Sequence, residues 1–259
     1  MIPKIIHYCW FGRNPKPKLA EKCIRSWKRY CPDYEIIEWN EDNFDIESAP
    51  LYVRQAYEAR KWAFVTDYVR LWALTAYGGI YMDTDVEVVK PLDEFLVHHA
   101  FSGFEDPQHI QTGIMGCEKD NALFHLWREQ YDTLSFVMDD GSYNLQTNVI
   151  TITDYMIQHG IRLDNSVQTI CGCTFYPNDY FCPKDYHSNQ IITTARTHTI
   201  HHFAGSWIDA GMKKQKKKQI QYYRRKNTIH FILHIPHRLV RSLLGNEKYE
   251  VLKSKLKKD

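Results

Sequence analysis

Gly78-Gly79-Ile80-Tyr81-Met82-Asp83-Thr84-Asp85 decides how this chain folds. An apolar run starts at a double glycine and ends in two carboxylates one residue apart. A strand alternates its side chains, so residues two apart point the same way. Asp83 and Asp85 therefore converge on one spot just beyond the strand. Like charges that close raise each other's proton affinity unless a cation sits between them. Oxygen ligands suit a hard divalent ion, Mg²⁺ or Mn²⁺, which keeps positions open for water and phosphate. The expectation is a metal site that grips a diphosphate.

The flanking sequence alternates between strand and helix patterns. Residues 2–11 read as a buried first strand, with Ile5 and Ile6 leading into His7, Tyr8, Cys9 and Trp10. After a turn-rich loop over 12–17, Leu19, Cys23, Ile24 and Trp27 recur at helical spacing, and Cys31-Pro32 ends that helix before a second strand over 34–39. This opening predicts a parallel sheet in an α/β layered domain. A helical region over 50–77 carries an inward stripe of Phe64, Tyr68, Leu71, Trp72 and Thr75, with Gly78 as its cap. Short strands are expected over 86–88, near 101–104 and near 113–116. Helices are expected over 122–131 and 147–159, and a last sheet strand over 196–203. No internal repeat is present.

A chain of 259 residues with 44% hydrophobic and 14% aromatic content can bury a sizeable core, which excludes a disordered protein. No apolar run reaches the roughly 18 residues that span a bilayer. The start Met1-Ile2-Pro3-Lys4 lacks the pattern of a signal peptide. Seven cysteines at irregular spacings are expected as reduced thiols of a cytoplasmic protein, and Cys171-Gly172-Cys173 is not a zinc spacing. The net charge of +2 conceals a split: residues 212–259 hold 15 of the 33 Lys+Arg but 3 of the 31 acids. That leaves 18 basic and 28 acidic residues for 1–211. The expectation is a catalytic domain over 1–211 and a basic, amphipathic, helical extension over 212–259. The extension would either pack on the body as a solvated arm and helix or meet an anionic membrane surface, the second placing a cytoplasmic protein peripherally on the inner face of the plasma membrane. No nucleic-acid-binding module is found.

Asp67 and Arg70 lie three apart, on one helix face. An exposed ion pair there would contribute about 0.2–0.5 kcal/mol and nothing more. Arg70, however, sits between Val69 and Leu71 in a helix with few other charges, which favours a site. Trp10 closes the first strand, where it is either core or a platform for a base. His201-His202 precede Gly205-Ser206, an order that would suit a third metal ligand followed by phosphate-contacting backbone N–H groups. Gln111, Thr112, Tyr143 and Asn148 are expected on the acceptor side.

Three stretches together resemble glycosyltransferase family 32, the Asp-x-Asp sugar-binding-region transferases. They are Ile2-Pro3-Lys4-Ile5-Ile6-His7-Tyr8-Cys9-Trp10, then Ala63-Phe64-Val65-Thr66-Asp67-Tyr68-Val69-Arg70 through Tyr77 to Asp85, and His201-His202-Phe203-Ala204-Gly205-Ser206-Trp207. That family is related to the yeast initiating mannosyltransferase and the large clostridial glucosylating toxins. The resemblance implies a GT-A type, Rossmann-like α/β/α sandwich. It implies a retaining hexosyltransferase, dependent on Mn²⁺ or Mg²⁺, that draws on a nucleotide sugar, a UDP-sugar foremost. The acceptor would be a glycan or lipid-linked glycan of surface polysaccharide (capsule, exopolysaccharide or O-antigen). Residue by residue, it implies Asp85 as direct metal ligand and Asp83 reaching the ribose and a metal-bound water. Asp67 would accept donor-sugar hydroxyls with Arg70 beside it. Trp10 would stack on uracil next to the Cys9 backbone, and Ser206 and Trp207 would touch the diphosphate and the leaving oxygen. His202, with a glycine three residues on, resembles the metal ligand of related retaining transferases. The toxins carry an acid there, so His201 and His202 both stay open.

Breaking a sugar–phosphate bond builds negative charge on the departing diphosphate, which a cation and preplaced donors can match. No carboxylate stands out as a nucleophile, so the expectation is same-face substitution in which the leaving phosphate takes the acceptor proton. Two rivals stand beside it. A haloacid-dehalogenase-type phosphohydrolase also uses Asp-x-Asp, but wants Thr or Val where this chain has Glu87, and on the first strand. A non-catalytic nucleotide-sugar or carbohydrate-binding module is not distinguished by sequence.

Overall fold

The computed structural model describes residues 1–185, 188–205, 244–246 and 248–251. In chain order its elements are β1 (Ile5–Cys9), α1 (Lys18–Tyr30), β2 (Glu35–Trp39), α2 (Leu51–Glu58), α3 (Trp62–Tyr77), β3 (Gly79–Met82), β4 (Val86–Val88), β5 (Ala100–Asp106), β6 (His109–Ile110), β7 (Ile114–Cys117), α4 (Ala122–Glu129), α5 (Asn148–Gln158), β8 (Gln168–Ile170), β9 (Cys173–Tyr176), α6 (Asn178–Phe181) and β10 (Thr199–His201). The chain divides into two compact units, Met1–Asp185 with Ile191–Trp207, and Tyr186–Gln190 with Ile208–Asp259.

In the first unit all four residues of β3 are buried, as befits a strand covered on both faces. Tyr81 packs into a hydrophobic cluster with Phe64, Val65 and Leu71 of α3, while Ile80 and Met82 pack into another with Cys23 and Trp27 of α1. Helices therefore cover both faces of the sheet, the α/β/α layering expected from the sequence. β1 lies between β2 and β3 and runs parallel to both, with His7 opposite Ile37 and Tyr81. Beyond β3 the sheet becomes mixed, in the order β2-β1-β3-β7-β5-β9-β8. β7 is antiparallel to both β3 and β5, and β5 is parallel to β9. The parallel pairing expected from the opening of the chain therefore holds for β1 with β2 and β3 and does not extend to β7. Only seven residues separate β5 from β7, too few for the crossover that a parallel pair needs.

Two other expectations change. The helical region over 50–77 breaks into α2 and α3, with Arg60 between them in the left-handed region at φ 55. The last strand shrinks from 196–203 to β10, which pairs antiparallel with β4 rather than joining the large sheet. β4 follows the aspartates directly, and the Val86 N–H donates to the Asp83 carbonyl at 2.9 Å. This small ribbon brings a distant histidine back to the tip of β3.

The double glycine at the start of β3 is a steric necessity. Gly79 has φ +105, and a Cβ there would lie 2.7 Å from the Ile5 carbonyl oxygen and 3.1 Å from His7 Nε2. Gly79→Ala is expected to destabilise the fold by about 2 kcal/mol or more, read as a lower urea midpoint, because both the backbone conformation and the approach of β1 exclude a methyl group.

In the second unit residues 244–246 and 248–251 are helical. The lysine-rich run over 213–218 and the apolar clusters after it lie outside the described residues. Among the described residues, no helix is long and apolar enough to cross a membrane. All seven cysteines are free thiols, six of them buried and Cys171 exposed.

Candidate active site

Ten of the sixteen residues of α3 are buried, Asp67 and Arg70 among them. A helix apolar on nearly all sides is placed inside the protein, and its few charges go with it. The exposed-pair alternative therefore falls away. Arg70 Nη2 lies 3.1 Å from Asp67 Oδ1 and 3.3 Å from Asp83 Oδ1. Its Nη1 donates to the Thr112 carbonyl at 2.9 Å and to Thr112 Oγ1 at 3.0 Å. The guanidinium also stands 4.8 Å from the centre of the Tyr81 ring, whose hydroxyl donates to Asp83 Oδ1 at 2.9 Å. One cation thus braces two carboxylates from two elements.

At the tip of β3, ligand atoms of Asp83, Asp85 and His201 lie within 4.8 Å of one another. His201 Nε2 is 3.3 Å from Asp85 Oδ1, and the Ala204 N–H donates to Asp85 Oδ2 at 2.7 Å. His202 is not part of this group. Its Nε2 pairs with Glu87 Oε2 at 2.8 Å, and Glu87 also meets Lys22 Nζ at 2.8 Å. This corrects the placement of His202 at the metal. Neighbouring residues on a strand face opposite ways, and β10 aligns His201 with Val86, beside Asp85. Gly113 makes room for the histidine: a Cβ there would come within 2.9 Å of the His201 ring.

Charge is unevenly balanced here. Burial pushes the Asp67 carboxyl up to about 6, against the pull of Arg70. Burial also raises Asp83, opposed by Arg70 and His201. Burial works against ionised Asp85 too, yet His201 and the Ala204 N–H hold it well below the usual carboxylate range. His201 loses charge stability to burial and more than recovers it from Asp85, so its proton affinity stands well above that of a free imidazole. Three carboxylates around one guanidinium and one imidazole make a site suited to a further positive charge.

Trp10 is half-buried at the carboxyl end of β1, and its Nε1 donates to the Asn14 carbonyl at 2.6 Å. With Asn14, Lys16 and Glu38 it lines a cavity of about 230 Å³ beyond the ends of β1 and β2. Lys16 Nζ is 5.7 Å from the Trp10 ring centre and 2.7 Å from Glu38. Cys9 is buried, and burial raises its thiol far above the ordinary range. His7, two residues before Cys9, pairs with Tyr81, two residues before Asp83. Ser206 and Trp207 lie outside the described residues.

The acceptor-side expectations divide. Tyr143 is exposed, stacked on Phe136 with ring centres 5.1 Å apart. Gln111, Thr112 and Asn148 are buried instead. Gln111 braces a turn, its Oε1 accepting from the Ile114 N–H at 2.8 Å and its Nε2 donating to the Ile114 carbonyl. Thr112 Oγ1 donates to Asn148 Oδ1 at 2.9 Å. The sequence reading assigned no role to Tyr81 or Glu105. Burial raises the Glu105 carboxyl, which feels the charges of His201 and Asp83. Nothing local in the sequence marks Glu105, whose position depends on the mixed half of the sheet.

Comparison with known proteins points the same way. Residues 17–102 match the profile of the "Glycosyltransferase sugar-binding region containing DXD motif". Over 122 residues the chain is 33% identical to inositol phosphoceramide mannosyltransferase 3 of Schizosaccharomyces pombe, covering 46% of this chain and 34% of that protein. It is 29% identical over 131 residues to the mannosyl phosphorylinositol ceramide synthase SUR1 of Saccharomyces cerevisiae, covering 48% and 33%. The match thus spans about a third of the length of these fungal relatives. An uncharacterized glycosyltransferase, L373, of Acanthamoeba polyphaga mimivirus is 26% identical over 71% of this chain and 78% of its own length. Among solved structures, a glycosyltransferase involved in glycosylation of the major capsid of PBCV-1 aligns with 83% of this chain and 100% of its own at TM-score 0.45 and 14% identity. The matched stretch is about a third of the chain and holds both Asp67 with Arg70 and the Asp83-Thr84-Asp85 triplet, so residues 17–102 are similar to the DXD-containing sugar-binding region of glycosyltransferases.

Proposed function

We propose that this chain is a metal-dependent glycosyltransferase that moves a hexose, with retention of configuration, from a nucleoside-diphosphate sugar to a glycan or lipid-linked glycan. The observation that carries this reading is the convergence of Asp83, Asp85 and His201 at the carboxyl end of β3. Two carboxylates and an imidazole fit Mn²⁺ or Mg²⁺, and the imidazole tilts the choice toward Mn²⁺. A divalent ion held there supplies Lewis-acid charge for a departing diphosphate.

The protein's own residues do the rest. Arg70 fixes the Asp67 and Asp83 carboxylates before substrate arrives, so they need no reorganisation during reaction. Asp67, braced through Oδ1, has acceptor capacity left for sugar hydroxyls. The Trp10 face offers a stacking surface for the base, for which uracil is our choice, and Lys16 adds positive charge beside it. We retain same-face substitution, in which the leaving phosphate takes the acceptor proton. The domain over 1–211 is assigned transfer. The extension over 212–259 is assigned peripheral attachment to an anionic membrane. Surface polysaccharide is the acceptor class we propose, and the names of the fungal relatives make mannose the first sugar to test and a phosphate-bearing glycolipid the first alternative acceptor.

The test is a panel of uridine- and guanosine-diphosphate sugars incubated with the chain and Mn²⁺. Slow release of free nucleoside diphosphate from one donor supports transfer. Phosphate release from simple monoesters instead favours the phosphohydrolase, and binding with no release over long incubation favours the non-catalytic module. For the extension, deleting residues 212–259 is expected to free the protein from anionic vesicles, and unchanged binding would refute the attachment.

A further inference from the structure

We propose that Asn148 is a specificity-determining residue for the donor sugar, its side-chain NH₂ and the Asp67 carboxylate together selecting a sugar with a free hydroxyl at one position. The inference rests on the transferase reading above. Its basis is the order of protons in a buried chain of hydrogen bonds. Arg70 has only donors, so Nη1 gives a hydrogen to Thr112 Oγ1. The Thr112 hydroxyl then spends its single hydrogen on Asn148 Oδ1. With the amide reversed, that hydrogen would face an NH₂ group instead of an acceptor. The orientation is therefore set by the arginine two bonds away, and Nδ2 is the end left over.

Asn148 is 3% exposed, and its Nδ2 has no hydrogen-bond partner among the described residues. Buried amide groups are ordinarily satisfied, so an orphaned pair of hydrogens calls for a ligand. The surroundings say which kind. Asn148 is the first residue of the eleven-residue α5, and its backbone N–H points to Asp67 Oδ2 at 3.5 Å. Surplus donors thus stand beside a carboxylate with surplus acceptor capacity. A hydroxyl serves both, giving its hydrogen to Asp67 and accepting one from Asn148. A deoxy position serves neither, and an acetamido group cannot fill both roles in the same space. A site built to hydrogen-bond a hydroxyl rejects the analogue that lacks it. Nδ2 is enclosed, so its use requires the first turn of α5 to shift as the sugar enters.

The experiment is calorimetry on the full chain with Mn²⁺. The ligands are nucleoside diphosphate, the intact nucleotide sugar that the wild type hydrolyses, and its monodeoxy analogues. The wild type is expected to bind one monodeoxy analogue about 10–100-fold more weakly than the parent sugar. Asn148→Ala and Asn148→Asp, the second of which keeps an acceptor for Thr112, should lose that discrimination while binding nucleoside diphosphate within about twofold of wild type. Folded variants that keep the discrimination overturn the inference, as does an equal loss of diphosphate binding, which would make Asn148 a structural support. If neither variant folds, the wild type decides alone: equal affinity for every monodeoxy analogue overturns it. A wild type that binds no nucleotide sugar at all removes the transferase reading itself, an outcome distinct from these.

Discussion

Asp85→Asn is expected to cut metal-dependent release of nucleoside diphosphate by about 10³-fold or more while the chain stays folded. The substitution keeps shape and volume, and the amide oxygen can still accept from the Ala204 N–H that now meets Oδ2 at 2.7 Å. What it removes is the charge that faces His201 and that the proposed cation would share. Partners that merely orient metal ligands are worth about 10–100-fold in metal affinity, so a direct ligand should be worth at least about 100-fold. His201→Ala should fall in the same class, because its ring closes the group with Asp83 and Asp85. His202→Ala should leave Mn²⁺ affinity within a few-fold, since that ring is turned to Glu87. Titration of Mn²⁺ into each variant, with melting curves as the folding control, gives the comparison. Wild-type affinity in Asp85→Asn, or a loss in His202→Ala alone, would undo the site as drawn.

The two histidines also show where sequence reading stops. Asp83 and Asp85 were legible as a pair because both belong to a single short segment, although the turn between β3 and β4, rather than strand alternation, holds them. The apolar surroundings of Arg70 were enough to mark it, because a charge carried into the core by an apolar helix is costly unless partners there hold it. Choosing His201 over His202 needed the register of β10 against β4, a pairing more than a hundred residues apart that leaves no local trace. The same limit explains the mixed sheet, which depends on the short route from β5 to β7. It explains Arg60 as well, where an ordinary arginine in the left-handed region splits a pattern that reads as one helix. The burial of Gln111, Thr112 and Asn148 was not legible for another reason. A buried polar side chain with internal partners looks, in sequence, the same as an exposed one awaiting substrate.

Arg70 is where the fold and the proposed chemistry depend on the same atoms, so its replacement should register in both. Arg70→Met removes the one guanidinium between Asp67 and Asp83 and strips Thr112 of two hydrogen bonds. Breaking a buried pair on one side costs about 3–5 kcal/mol, because the surviving charge stays buried without compensation. For a domain of this size that corresponds to a fall of roughly 6–20 °C in melting temperature. Arg70→Lys restores a charge but not the fork. An ammonium is a single point with three donors and cannot span two carboxylates and the Thr112 carbonyl in one plane. It should recover part of the stability and little of the activity, which is expected to stay about 100-fold down. Mn²⁺ should rescue the melting temperature of Arg70→Met more than it raises that of the wild type, since new positive charge beside Asp83 offsets what the arginine supplied. The decisive measurement is the double variant. If Asp67 and Arg70 act as a pair, Asp67→Asn combined with Arg70→Met should cost less than the two single losses together, by about 1–3 kcal/mol in denaturant unfolding. Strict additivity would mean that the two side chains are held separately and that Asp67 does not depend on Arg70 for its place.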